Sequence, residues 1–250
     1  MRAQTAEPGA GTLRRYYHVL LQRFGPQNWW PARSRLEVIL GAVLTQNTSW
    51  RNAEIALACL RKEGLLRHAG LLSASLPKLE SCIRAAGYFR QKARTIKAFA
   101  EFLECDFRGS LDRLFDLPIA ECRARLLGIQ GFGPETADAV LLYAGKFPIF
   151  VADAYTRRIL ARHGLLPSDA DYSLAQATVH RNLQPESSLY NELHALFVVT
   201  GKTYCHPRSP NCADCPLRAY LPPPGLLNLP ANGEETRRES FVPMPSGRID

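Results

Sequence analysis

No stretch of this 250-residue chain reaches the ~18 consecutive apolar residues a membrane-crossing helix requires. The opening MRAQTAEPGAGTLRR lacks the apolar core of a secretory leader. No segment alternates apolar and polar residues between hairpin turn signals, which argues against a sheet. No period of solenoid length is visible, which argues against stacked repeats. Cysteines do not come in an even set. There are seven, and Cys59, Cys82, Cys105 and Cys122 are scattered through helical-looking sequence. That pattern argues against a secreted disulfide framework and for a reducing compartment. Acidic residues are in deficit, 23 against 31 Lys and Arg, for a net charge of +8. The expectation is a soluble, monomeric cytoplasmic protein with a polyanionic partner, because neutralising phosphates releases condensed counterions.

What the chain has instead is helical periodicity. Leu36–Gln46 is almost wholly apolar and reads as a buried central helix. Arg51–Lys62 places most of its apolar residues on one face. Arg90–Cys105 repeats Ala93, Ile96, Lys97, Phe99, Ala100 and Leu103 at three-four spacing. Further helices are expected at Leu76–Ala86, Ser110–Phe115, Ile119–Leu127, Pro134–Lys146, Asp153–His163, Asp171–Leu183 and Ser187–Thr200. The fold class is therefore all-α. The first 12 residues and the Pro-rich stretch from Pro222 onward read as disordered.

The most informative stretch is LLGIQGFGPETADAVLLYAGKFPIFVADAYTRRIL, Leu126–Leu160. Gly128, Gly131 and Gly133 fall within six positions, and Pro134 stands where a helix would begin. A helix starting there aims free N–H groups and the positive end of its dipole outward, which suits a phosphate. Taken alone, the same pattern also describes a tight turn between helices, with glycine chosen for geometry.

The surrounding order changes the balance. The glycine hairpin is followed by Thr136-Ala137-Asp138, Pro148, and then Val151-Ala152-Asp153 opening a new helix. This order resembles the helix-hairpin-helix DNA glycosylase superfamily typified by endonuclease III. Leu40–Trp50 (LGAVLTQNTSW) and Gly87–Phe99 (GYFRQKARTIKAF) are similar to two further segments of that family, so the likeness runs from about Trp29 to Leu217. Trp29-Trp30-Pro31 and GFGPETAD at Gly131–Asp138 are most similar to the 3-methyladenine DNA glycosylase III branch.

The resemblance implies two helical domains flanking a DNA cleft. One is a six-helix domain over 36–147 carrying the hairpin; the other combines 13–35 with 148–221. It implies hydrolytic excision of a damaged base from double-stranded DNA, with a nucleoid-associated location. Asp153 would stabilise the oxocarbenium character that develops as the N-glycosidic bond breaks. Gln46 and Tyr88 would enter the duplex as the target nucleotide leaves it. Gly128, Gly131, Gly133 and Thr136 would hold phosphate. Bifunctional relatives carry a Schiff-base lysine just before the Thr-Ala pair; here that position is Glu135, which implies a monofunctional enzyme. Trp50, with Trp29 and Trp30, would face an alkylated, cationic purine. Oxidised pyrimidine or a mismatched base is the alternative substrate, and a non-catalytic DNA-binding protein is the alternative class. The family's four-iron four-sulfur cluster takes four cysteines. Cys205, Cys212 and Cys215 keep three at the family spacing, but Leu221 occupies the fourth position. A cluster with another ligand, a different metal with His206, or a relic loop all remain open.

Overall fold

A computed structural model describes residues 10–30 and 32–223. The N-terminal stretch expected to be disordered lies outside these residues up to position 9. Over positions 10–12 the expectation fails, because α1 spans Ala10–Phe24. The C-terminal stretch lies outside them from position 224, as does Pro31.

No strand occurs among the described residues. The helices after α1 are α2 (Arg35–Leu44), α3 (Trp50–Lys62), α4 (His68–Ser73), α5 (Leu76–Ile83), α6 (Phe89–Phe107), α7 (Leu111–Phe115), α8 (Ile119–Leu127), α9 (Pro134–Ala139), α10 (Ala154–Arg162), α11 (Tyr172–Asn182) and α12 (Ser187–Thr203). Several starts are dictated by side chains that satisfy orphan backbone donors. Ser34, Ser49 and Ser110 accept from the N–H groups of Glu37, Asn52 and Arg113. Asp153 and Asp171 do the same for Thr156 and Leu174.

The chain divides into two compact units, residues 30–147 and residues 10–29 with 148–223. The first holds α2–α9, eight helices where six were expected. The short α4 carries Gly70 in its interior and is too brief to show a period. The helix expected over Pro134–Lys146 is also divided: α9 ends at Ala139 and a π-helical turn covers Val140–Ala144. In this unit α2 is buried along every residue after Arg35. That matches its lack of a polar face. In the other unit the core is built on Tyr16, Leu20, Phe150, Tyr190 and Phe197, each at most 1% exposed.

Candidate active site and nucleic-acid interface

The glycines of the hairpin are not equivalent. Gly131 has φ +89°, and a Cβ there would lie 2.1 Å from Thr95 Oγ1 on α6. Both conformation and space require glycine. Gly128 closes α8 in ordinary right-handed geometry, and its N–H donates to Ala124 O and Arg125 O. Gly133 caps α9 with φ −96° and has open space where a Cβ would stand. Phe132, between Gly131 and Gly133, stacks on Phe99 of α6, with ring centroids 6.0 Å apart and planes within 8°. The turn is thus pinned to α6 while its exposed backbone faces solvent.

Glu135 is exposed in the first turn of α9, where the helix dipole favours a carboxylate. Thr136 is buried at 7% exposure. Its hydroxyl accepts a 2.7 Å hydrogen bond from Gln46 Nε2, which also donates to Gly131 O at 3.1 Å. The sequence assigned Gln46 to the DNA interior and Thr136 to phosphate; the structure joins the two to each other and to the hairpin. Asp138, read from sequence as structural or as a surface charge, has no exposed surface. Arg123 Nε and Nη2 donate to its two carboxylate oxygens at 2.6 and 3.1 Å, so the structural reading holds.

Tyr88 lies on the loop before α6. It is 66% exposed and has φ +44°, directly after Gly87 at φ +64°. A large aromatic ring is thereby presented outward on a left-handed turn, a placement the backbone holds only under constraint.

Asp153 sits at the N-terminus of α10, 9% exposed, with Oδ1 accepting from Thr156 N at 2.8 Å. Its approach is fixed from both sides of Phe150. The Phe150 N–H donates to His180 Nε2 at 2.9 Å, and Gln176 Nε2 donates to Phe150 O at 2.7 Å. Asp153 Oδ2 lies 3.5 Å from His194 Nε2 of α12. Burial pushes the Asp153 carboxyl up, but His194 and the Thr156 N–H together outweigh it, and the net effect is downward. The group stands as a carboxylate.

Lys202, eight residues beyond His194 on α12, has its ammonium 5.8 Å from the centroid of the Trp29 ring. Burial lowers this lysine to about 7, and the negative charge of Asp153 offsets part of that drop. None of Gln176, His180, His194 and Lys202 was singled out from sequence. His194 and Lys202 occupy a helix whose apolar period hides them.

The tryptophans separate. Trp50 is 2% exposed and meets Trp30 edge-on, 5.4 Å between centroids and 90° between planes. Trp30 also packs against Tyr143 at 5.1 Å and closes over Gly41, where a Cβ would lie 3.0 Å from the indole. Trp50 is a buried packing residue; Trp30 and Trp29 are both part-buried, Trp30 against Trp50 and Tyr143, Trp29 with its ring facing an amine.

Cys205, Cys212, Cys215 and Leu221 border one small cavity together with Arg162. Arg162 Nη1 donates to Cys205 Sγ at 3.1 Å and Nη2 to Pro207 O at 2.6 Å. Arg158 Nε donates to Cys205 O at 2.7 Å. Burial pushes the Cys212 and Cys215 thiols up. Among the described residues no group of three or more His, Cys, Asp or Glu side chains is arranged to hold a metal ion. Leu221 offers no donor, so these residues do not fit the four-cysteine shell of an iron–sulfur cluster.

A hairpin at 128–133 and a buried, ionised Asp153 are joined by one decisive match. Residues 40–185 correspond to the HhH-GPD superfamily of base excision DNA repair proteins. The chain belongs to that superfamily. It is 39% identical over 210 residues to the Methanocaldococcus jannaschii protein MJ1434, named as a DNA repair glycosylase, covering 83% of this chain and 94% of that one. It is 31% identical over 189 residues to endonuclease III of Sulfolobus acidocaldarius, covering 75% and 82%. Among solved structures, a trapped endonuclease III–DNA covalent intermediate matches at TM-score 0.74 and 21% identity, covering 85% of this chain and 95% of that one. The H. pylori 3-methyladenine DNA glycosylase bound to 1,N6-ethenoadenine matches at 0.66 and 25%, covering 77% and 96%. This HhH-GPD protein is thus an all-α DNA glycosylase of base excision repair.

Proposed function

We propose that this glycosylase hydrolyses the N-glycosidic bond of an alkylated purine in duplex DNA, acting as a monomer and without a lyase step. The observation that carries the proposal is Asp153: a carboxylate kept ionised while nearly buried, with the Phe150 backbone leading to it held by α11 and its second oxygen beside His194. As the C1′–N bond breaks, the bonding electrons leave with the base and positive charge grows on the sugar. A preorganised carboxylate stabilises that charge, and it takes the proton of the water whose oxygen bonds to C1′. Alkylation makes the base a cation, so it departs neutral and needs little help from an acid. The stacking face falls to Trp29 rather than to Trp50, whose ring is packed. Trp29 already meets an amine at cation–π distance, and a lysine lowered to about 7 repels a cationic base less than an ordinary one would.

Glu135 occupies the position of the lyase lysine and has no amine with which to form a Schiff base. Duplexes carrying 3-methyladenine, uracil, thymine glycol or a G·T mismatch test both parts. Base release is expected from 3-methyladenine, with strand breaks only after alkali and no borohydride-trapped adduct. Breaks without alkali would overturn the hydrolytic mechanism, and release from thymine glycol but not 3-methyladenine would overturn the substrate.

We infer further that the 205–221 loop is held by Arg158 and Arg162 rather than by a four-cysteine cluster. Purified protein should lack the broad visible band of such a cluster. Four irons per chain would refute this.

A further inference from the structure

Lys92 lies in the first turns of α6 and is only 3% exposed, and its ammonium is held by backbone carbonyls. Its Nζ donates to Leu44 O at 2.8 Å and to Ala86 O at 2.7 Å. Each acceptor is the last residue of a helical segment, α2 in one case and the 3-10 turn Arg84–Ala86 in the other. Such carbonyls have no partner within their own segment, and Leu44 O also sits at the negative end of the α2 dipole. One ammonium therefore caps two chain reversals at once. The spacing beyond them is the same: Gln46 comes two residues after Leu44, and Tyr88 two residues after Ala86. Both reversals contain a left-handed non-glycine residue, Asn47 at φ +53° and Tyr88 at φ +44°. Loops in that conformation hold one shape only when neighbouring contacts over-determine it. One turn further along α6, Thr95 abuts Gly131 of the hairpin.

We propose that Lys92 is a positioning residue that locks the Gln46 turn and the Tyr88 loop into one rigid wedge, so that the two side chains enter the duplex together. The proposal rests on the reading of Gln46 and Tyr88 as the residues that intrude on base extrusion. Burial lowers Lys92 to about 8, but its two acceptors need only two N–H donors, so the neutral amine serves as well as the ammonium. The link is thus one of geometry, insensitive to pH near neutrality.

The test is a double-mutant cycle on base extrusion in the full-length protein. The probe is a duplex with 2-aminopurine beside a 3-methyladenine held uncleaved by a 2′-fluoro sugar; its fluorescence rises as the neighbouring base leaves the stack. In the native background, Gln46→Ala and Tyr88→Ala should each weaken extrusion. Together they should cost about tenfold less than the product of the two, because either one already disables the shared wedge. Lys92→Met, similar in length but without donors, should lower extrusion about tenfold with affinity for undamaged duplex unchanged. In the Lys92→Met background the two alanine effects should simply multiply. Independent effects in the native protein would overturn the proposal while leaving the intrusion reading intact. No effect from either alanine variant would remove both. Should Lys92→Met not fold, the native cycle alone decides the matter.

Discussion

Replacing Asp153 with Asn should lower single-turnover base release by about a thousandfold while leaving the affinity for damaged duplex unchanged. The substitution separates two roles that one side chain performs. Asn is as good an N-cap as Asp, so the bond to Thr156 N and the start of α10 survive. What disappears is the negative charge proposed to face the sugar. A loss of rate without loss of fold or binding is then chemical rather than structural, and undiminished turnover would remove Asp153 from the reaction. The pH profile gives a second reading of the same group. Because the folded-state carboxyl is held below its ordinary value of about 3.9, it stays ionised as the pH falls to that point. Base release should therefore persist on acidification to about pH 4, and protonation of Asp153 should end it only below that. Removing the partner with His194→Phe should move this acid limb upward, since burial would then act on the carboxyl with less opposition.

Asp138→Ala should destabilise the protein by about 3 kcal/mol, read as a lower denaturation midpoint at an unchanged denaturant slope. The carboxylate is wholly buried and accepts from both Nε and Nη2 of Arg123. Truncation removes the carboxylate paired bidentately with the Arg123 guanidinium between α8 and α9. The Arg123 side chain retains 30% exposure, which lets it recover some hydration and keeps the cost near the lower end for a buried pair. A loss below about 1 kcal/mol would mean that the pair contributes little to holding the hairpin's two helices together.

Much of this was legible in the residues. Period and composition identified an all-helical chain, because buried helix faces repeat every three to four residues whatever they pack against. Glycine spacing marked the hairpin, and Gly131 alone turned out to need its glycine. The limits are equally physical. Lys92 stands four, seven and eight residues before Ile96, Phe99 and Ala100, squarely on the apolar face of α6, where a charged residue announces a buried partner. The partners are backbone carbonyls, which carry no sequence signature. His194 is hidden likewise among Leu193, Ala195 and Phe197. The division of Pro134–Lys146 into an α segment and a π-turn escaped because both present apolar residues in nearly the same rhythm.

The hairpin, the carboxylate at 153, the carboxylate at 135 and the missing fourth cysteine are properties of the residues themselves. Side-chain chemistry and order along the chain determine them, and no packing could alter them. Which face each side chain meets belongs to tertiary structure. Trp50 and Trp29 are the same amino acid in similar Trp-bearing segments, yet one is locked edge-on against Trp30 and the other faces Lys202. Burial and the neighbouring side chain within each unit decide that difference, and both arise only when segments distant in sequence come together.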